Sequence, residues 1–244
     1  VMVTESRSWR TIVRTVTGIG LVVLTACASQ PTRFYTLGTN SEATIANRTT
    51  SPAFLIDMRT VRVPAAVAKS QLVVQVNAAQ VKILEDDRWA SPLADEIRNA
   101  LLADVTRQAG APGGHAMGEA GDVPVYQVSV DVQRFESWPG SHALIDAVWS
   151  VRALNGPETL TCHSIVSRPV SAGYYAIVDG HRRAIEGIAA QIAEGLRGFT
   201  GTSTVRPTRL AGTTGRKRKA TLSCPALVSG SERGIDAPVL DEAQ

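Results

Sequence analysis

Four residue types in this chain can carry chemistry, and their spacing narrows what each can do. Three cysteines (Cys27, Cys162, Cys224) offer thiols, and four histidines (His115, His142, His163, His181) are scattered along the sequence. No two histidines stand where one helix face would present both to zinc, and Cys162 and Cys224 lie far apart without paired histidine neighbours. No metal is expected from that spacing. Glu85-Asp86-Asp87, beside Arg88-Trp89, is a compact acidic cluster that can meet a cation or form a solvated turn ahead of a helix. Asp95 and Glu96 fall in the first turn of a predicted helix, where its dipole accounts for them. The chain has no Gly-x-Ser-x-Gly elbow, Walker loop or dinucleotide fingerprint, so nothing nominates an enzyme or a catalytic residue.

The first cysteine has the clearest context. Arg7, Arg10 and Arg14 precede an apolar run from Val16 to Ala26. At about 11 residues the run is too short to span a bilayer as a helix and suits a signal h-region. It ends in Leu24-Thr25-Ala26-Cys27, which resembles the lipobox of bacterial lipoproteins. The alternatives are an ordinary secretory signal, or a core element with a chance cysteine. The lipobox reading makes residues 1–26 a signal peptide. It makes Cys27 the acceptor of a diacylglycerol and an amide-linked acyl chain, the only covalent groups expected, with no cofactor. Ala28 in place of aspartate resembles the class sorted to the outer membrane. Burying acyl chains yields ~0.8 kcal/mol per methylene, so lipid on Cys27 would hold the chain without a membrane-spanning helix. In that oxidising compartment the remaining pair, Cys162 and Cys224, can form a disulfide that pins the C-terminal tail, or remain as two thiols.

Composition agrees with a folded domain. Of 244 residues, 44% are hydrophobic and 19% charged, whereas aromatics reach only 5%, so the core must be built from Val, Ile, Leu and Ala. The net charge of +3 falls to about +1 once residues 1–26 are removed, and this gives no electrostatic case for nucleic acid.

The elements that would position these residues follow from periodicity. A polar tether, residues 27–33, leads into a short strand at Arg33-Phe34-Tyr35-Thr36-Leu37, and a Thr/Asn/Ser-rich loop follows to residue 52. Alternation predicts strands near 54–63, 72–76, 80–84 and 126–133, then 142–154 and 159–168 joined by an Asn155-Gly156 hairpin turn. A helix is predicted over 92–109: Ser91 caps it, Pro92 fits its first position, Leu93, Ile97, Leu101 and Val105 form its apolar stripe, and Gly110 ends it. A second helix over 174–197 turns Ile177, Ala184, Ile188 and Ile192 inward. Gly180, Gly187 and Gly195 interrupt it, which signals either close packing on a sheet or a weak helix. From residue 200 periodicity stops, and Arg216-Lys217-Arg218-Lys219 can touch anionic headgroups or serve as a solvated linker. The sum is an α/β (α+β) domain, a single mixed β-sheet with two amphipathic helices packed on it, over residues 34–199, followed by a tail over 200–244.

Three segments in order resemble the PqiC/YmbA family of ABC-type transport auxiliary lipoproteins. They are Cys27 with Phe34-Tyr35-Thr36-Leu37; Val61-Arg62-Val63-Pro64 leading to Arg88-Trp89-Ala90-Ser91-Pro92-Leu93; and Val132-Gln133-Arg134-Phe135-Glu136 with Ala147-Val148-Trp149 and then Gly173-Tyr174-Tyr175-Ala176. The resemblance covers about 27–198, with the Arg-Trp-Ala-x-Pro-Leu block its most specific part. The helix glycines and the tail with Cys224 depart from the family pattern. It implies a fold like the anticodon-binding or TolB N-terminal domains. It also implies a non-catalytic lipoprotein on the periplasmic face of the outer membrane, as a homo-oligomer. The expected partners are outer-membrane lipid and the MCE-domain protein of a Pqi-like system that moves lipids between membranes. Within the motif, Trp89 is expected to pack on the sheet, Pro92 to start the helix and Arg88 to pair with Glu85 or Asp86. Direct partner contact by Arg88, Trp89 or Pro92 is the alternative. Two competing functions are a stand-alone periplasmic lipid or ligand carrier, which requires an apolar cavity, and a thiol oxidoreductase using Cys162.

Overall fold

Alternating apolar residues form the strands of two sheets, and two helices pack against the larger one. The computed structural model describes residues 31–38, 53–111, 123–203 and 223–225. In chain order the elements are strands β1 (Arg33–Tyr35), β2 (Leu55–Met58), β3 (Gln71–Asn77) and β4 (Gln80–Trp89), helix α1 (Leu93–Ala109), strands β5 (Val125–Trp138), β6 (His142–Ala153) and β7 (Thr159–Pro169), and helix α2 (Tyr174–Ser203). The compact unit containing this fold begins at Phe34.

The mixed α+β class expected from the sequence is what the chain forms, but the strands divide between two sheets where one was expected. A four-stranded sheet has the order β2-β5-β6-β7, and a three-stranded sheet has the order β1-β4-β3. In the larger sheet β2 runs parallel to β5, and β5, β6 and β7 form an antiparallel meander. Its inner face carries Val128, Val130, Ile145, Trp149, Val151 and Val166, all buried beneath the helices. Trp149 donates its indole N–H to Ser164 Oγ at 2.8 Å, and Ser164 in turn bonds Gln191 of α2, so this polar line across the core is satisfied.

The expected stripe on α1 is buried throughout, and Gly110 ends the helix with φ 68°, the left-handed conformation that glycine adopts without a Cβ penalty. The helix begins one residue later than expected: Pro92 occupies the cap position, and no side chain caps it directly. On α2 the inward residues are buried as expected, and its glycines resolve in favour of close packing. A Cβ on Gly180 would stand 2.3 Å from Val170 Cγ1 and 2.9 Å from Ala143 Cβ. The helix also extends beyond 197, to Ser203.

Three local expectations change. The acidic run Glu85-Asp86-Asp87 lies within β4, where a register shift against β3 absorbs extra residues and turns Asp87 into the interior. Asn155-Gly156 sits in a longer connection than a two-residue turn: β6 and β7 pair only from Arg152 and Thr159 onward, and Gly156 keeps a negative φ. Strand β5 continues to Trp138, bending at a bulge between Val132 and Arg134. Cys27, the signal segment, His115 and the basic run at 216–219 lie outside the described residues.

Candidate functional site

The family-like motifs converge where the first strand meets the two helices. Glu96, expected only to complement the helix dipole, is buried and accepts four hydrogen bonds. Thr36 Oγ1 and Leu37 N donate to Oε2 at 2.8 Å each, and Ser91 N (3.1 Å) and Ser91 Oγ (2.7 Å) donate to Oε1. Ser91 thus bonds a side chain of the first turn and leaves the helix cap to Pro92, a displaced form of the capping box. From the other helix, Arg182 Nη2 donates to Gly38 O at 2.6 Å. Leu37 is buried between these two grips, and Tyr35 donates its hydroxyl to the buried Asp87 at 2.9 Å. The residues following the tether are therefore fixed by an anion on α1, a cation on α2 and a carboxylate on β4. Only the Ser91–Glu96 half of this clamp is local in sequence, so the rest gave no signal.

The motif residues separate by role. Trp89 is buried, with its ring edge-on to Phe135 at a centroid distance of 6.1 Å, as the packing expectation required. Arg88 is half-buried, and its Nε donates to the Glu85 carbonyl at 3.0 Å where a pairing with a neighbouring carboxylate was expected. Pro92 is exposed. Of the three residues considered for partner contact, Pro92 and Arg88 reach the surface and Trp89 does not.

Phe135 also stacks on His181 of α2 at 3.8 Å, so Trp89, Phe135 and His181 form a file of rings across the joint between the two sheets and the helical layer. His181 lies 2.8 Å from Ser137 Oγ through Nε2, a distance reminiscent of a nucleophile–base pair. Its surroundings argue for structure. Both residues are buried, His181 Nδ1 has no hydrogen-bond partner that would orient the ring, and burial pushes the imidazole pKa down to about 3. A base that weak stays neutral at ordinary pH and accepts protons poorly.

The outer face of the larger sheet carries polar pairs beside the exposed Ile165. His163 Nε2 meets Asp146 Oδ1 at 2.6 Å. Arg134 bonds Glu136 at 2.8 Å, and that hydrogen bond holds the Glu136 carboxyl below the usual carboxylate range. Trp138 stacks on His142 and donates to Glu136 at 3.1 Å. Among the described residues no cluster of three histidine, cysteine or acidic side chains can hold a metal. No described helix is long and apolar enough to cross a membrane.

Cys162 faces the core from β7 and is bonded to Cys224, with Cα atoms 5.6 Å apart. The link spans 62 residues and brings residues 223–225 against the domain. In this bonded state the buried Cys162 sulfur is not a free nucleophile.

Two sheets, a helical layer and a clamped N-terminal strand define a small α+β domain. Residues 35–193 match the ABC-type transport auxiliary lipoprotein component family, and the chain belongs to that PqiC/YmbA-like family. In fold it is similar to an uncharacterised protein known from its crystal structure, at 20% identity and TM-score 0.55, over 68% of this chain and 99% of that one. It also aligns with protein XCC0632 from Xanthomonas campestris at 16% identity and TM-score 0.48, over 62% of this chain and 86% of that one. A third alignment, with the PelC dodecamer from Paraburkholderia phytofirmans, has 6% identity and TM-score 0.36, over 58% and 93% of the two chains. No curated protein matches the chain in sequence.

Proposed function

We propose that this chain is an outer-membrane lipoprotein, anchored through acylated Cys27 with its domain in the periplasm, that serves as a non-catalytic adaptor of an MCE-type, Pqi-like system moving lipids between the two membranes. The observation that carries the reading is the match of residues 35–193 to a transport auxiliary lipoprotein family. The lipobox at Leu24–Cys27 agrees with it, since an adaptor tied to one membrane requires an anchor. On this reading the domain docks on the MCE-domain partner as a homo-oligomer, and its clamped first strand passes the tether's constraint directly to the helices.

The test is a deletion strain together with affinity isolation of the full chain from detergent-solubilised membranes. Increased detergent sensitivity and co-isolation of an MCE-domain protein are expected. Unchanged envelope permeability with no MCE protein recovered would overturn the proposal.

A further inference from the structure

Phe34 is the one residue of the Phe34-Tyr35-Thr36-Leu37 segment that the fold leaves without a task. Tyr35 bonds Asp87, Thr36 bonds Glu96 and Leu37 is buried, whereas Phe34 is 67% exposed. Strand alternation turns it to the side opposite Tyr35, the outward face of the three-stranded sheet. The same face continues along the β3–β4 hairpin. Leu72, Val74 and Leu84 point into the core, whereas Ile83 (40% exposed) stands opposite half-buried Val73, and Val81 (50% exposed) stands opposite Gln75. Residues directly opposite in a ladder share a face. The outward face of this sheet therefore carries Phe34, Val73, Val81 and Ile83 beside Gln75 and the hydrogen-bonded Gln71 and Glu85, whereas the outer face of the larger sheet carries Arg134, Glu136, Asp146 and His163 beside the exposed Ile165.

What lies against it follows from the chain that precedes it. Six residues separate Cys27 from Phe34. Whatever its conformation, that stretch reaches at most ~25 Å. Beyond it the backbone cannot swing away, because Glu96 and Arg182 hold Thr36, Leu37 and Gly38 to both helices. Whatever bilayer holds the acyl chains of Cys27 is therefore always within reach of Phe34, with no other molecule required. Phenylalanine lacks the hydroxyl that would suit Tyr175, the other highly exposed aromatic among the described residues, to water.

We infer that the outward face of the three-stranded sheet, led by Phe34, rests on the headgroup–acyl boundary of the membrane that anchors the chain. The inference depends on the reading of Cys27 as the lipidated residue and adds which face the domain turns to the lipid. The contact orients the domain relative to the bilayer.

The test separates the two claims. Chain 27–244 is coupled through the Cys27 thiol to a maleimide lipid in phosphatidylethanolamine/phosphatidylglycerol vesicles, with Cys162 and Cys224 left bonded. Phe34→Trp, Ile83→Trp and His163→Trp are compared with the parent by quenching from lipids brominated near the headgroup end of the acyl chain. All three positions are exposed, and far-UV circular dichroism checks that each variant folds. Added fluorescence at positions 34 and 83 is expected to be quenched about threefold more than at 163, as for side chains seated at an interface. Equal quenching at all three positions would overturn the inference. So would concentration-dependent shielding of positions 34 and 83 without lipid quenching, which would assign the face to a second copy. Acyl labelling in cells, lost in Cys27→Ala, tests the anchor separately, because the chemical coupling does not depend on it.

Discussion

Glu96 gathers two backbone donors and two hydroxyls onto one buried carboxylate, joining a tripeptide near the N-terminus to a helix some 60 residues later. Removing a charged acceptor strands its buried donors at about 1–3 kcal/mol. Glu96→Ala is therefore expected to lower the thermal midpoint by roughly 5–10 °C, a change consistent with about 3 kcal/mol in a domain of this size. It should also speed proteolysis of the segment around Leu37. A midpoint within 1 °C of the parent would show that the clamp contributes little. His181 makes a second residue-level prediction, through pH. Its imidazole, buried with no partner at Nδ1, binds a proton only near pH 3, against 6.5 for the free side chain. Between those values the unfolded chain binds a proton that the folded chain refuses. Stability is thus fully present above pH 6.5 and falls with pH by up to ~1.4 kcal/mol per unit. Urea unfolding at pH 7 and pH 5 should show the parent losing about 2 kcal/mol more than His181→Leu. Identical losses in the two proteins would mean that the ring protonates normally in the fold.

At the scale of elements, α2 shows how a sequence that looks weak becomes a well-packed helix. Glycine costs about 1 kcal/mol against alanine in a helix interior, so propensity alone would favour replacing each one. Contact geometry divides them. At Gly180 an added methyl meets Val170 Cγ1 and Ala143 Cβ, the latter fixed to the sheet backbone, so Gly180→Ala is expected to destabilise by about 1–3 kcal/mol. At Gly187 the nearest atom is the mobile end of Arg168, and Gly187→Ala should be neutral or stabilising by up to about 1 kcal/mol. Denaturant midpoints measure both, and the same sign at the two positions would contradict the packing account. The inward stripes of both helices were readable because period 3.6 repeats within one element. The true end of β4 was not, because the acidic run resembles a turn until the shifted pairing with β3 buries Asp87.

At the scale of the molecule, the Trp89–Phe135–His181 file and the Cys162–Cys224 link close the structure over distances that no local pattern encodes. By loop-entropy reasoning the disulfide stabilises by about 2–4 kcal/mol, since it restricts a long stretch of the unfolded chain. Cys224→Ser is expected to lower unfolding stability by that amount and to leave a free thiol that reacts with maleimide only on unfolding. A parent chain that shows two reactive thiols after oxidative folding would refute the bridge. The Arg-Trp-Ala-x-Pro-Leu motif was visible as a family signature, yet its residues proved to do different things. Trp89 packs the joint between the sheets, Ser91 bonds Glu96, and Pro92 remains exposed.

The sequence by itself determined the mixed α+β class, the helix stripes, the β6–β7 pairing and the family, because each rests on spacing within a continuous segment. It also offered Leu24-Thr25-Ala26-Cys27, whose resemblance to a lipobox is read by position and charge and underlies the proposed anchor. Only the tertiary structure decided that the strands form two sheets, that Glu96 and Arg182 grip the first strand, and that Phe34 is left facing outward. The reason is physical. Backbone and side-chain periodicity are local and repeat along the chain, whereas a buried carboxylate's donors, or the partner of an open sheet face, are set by what packing brings together from distant segments.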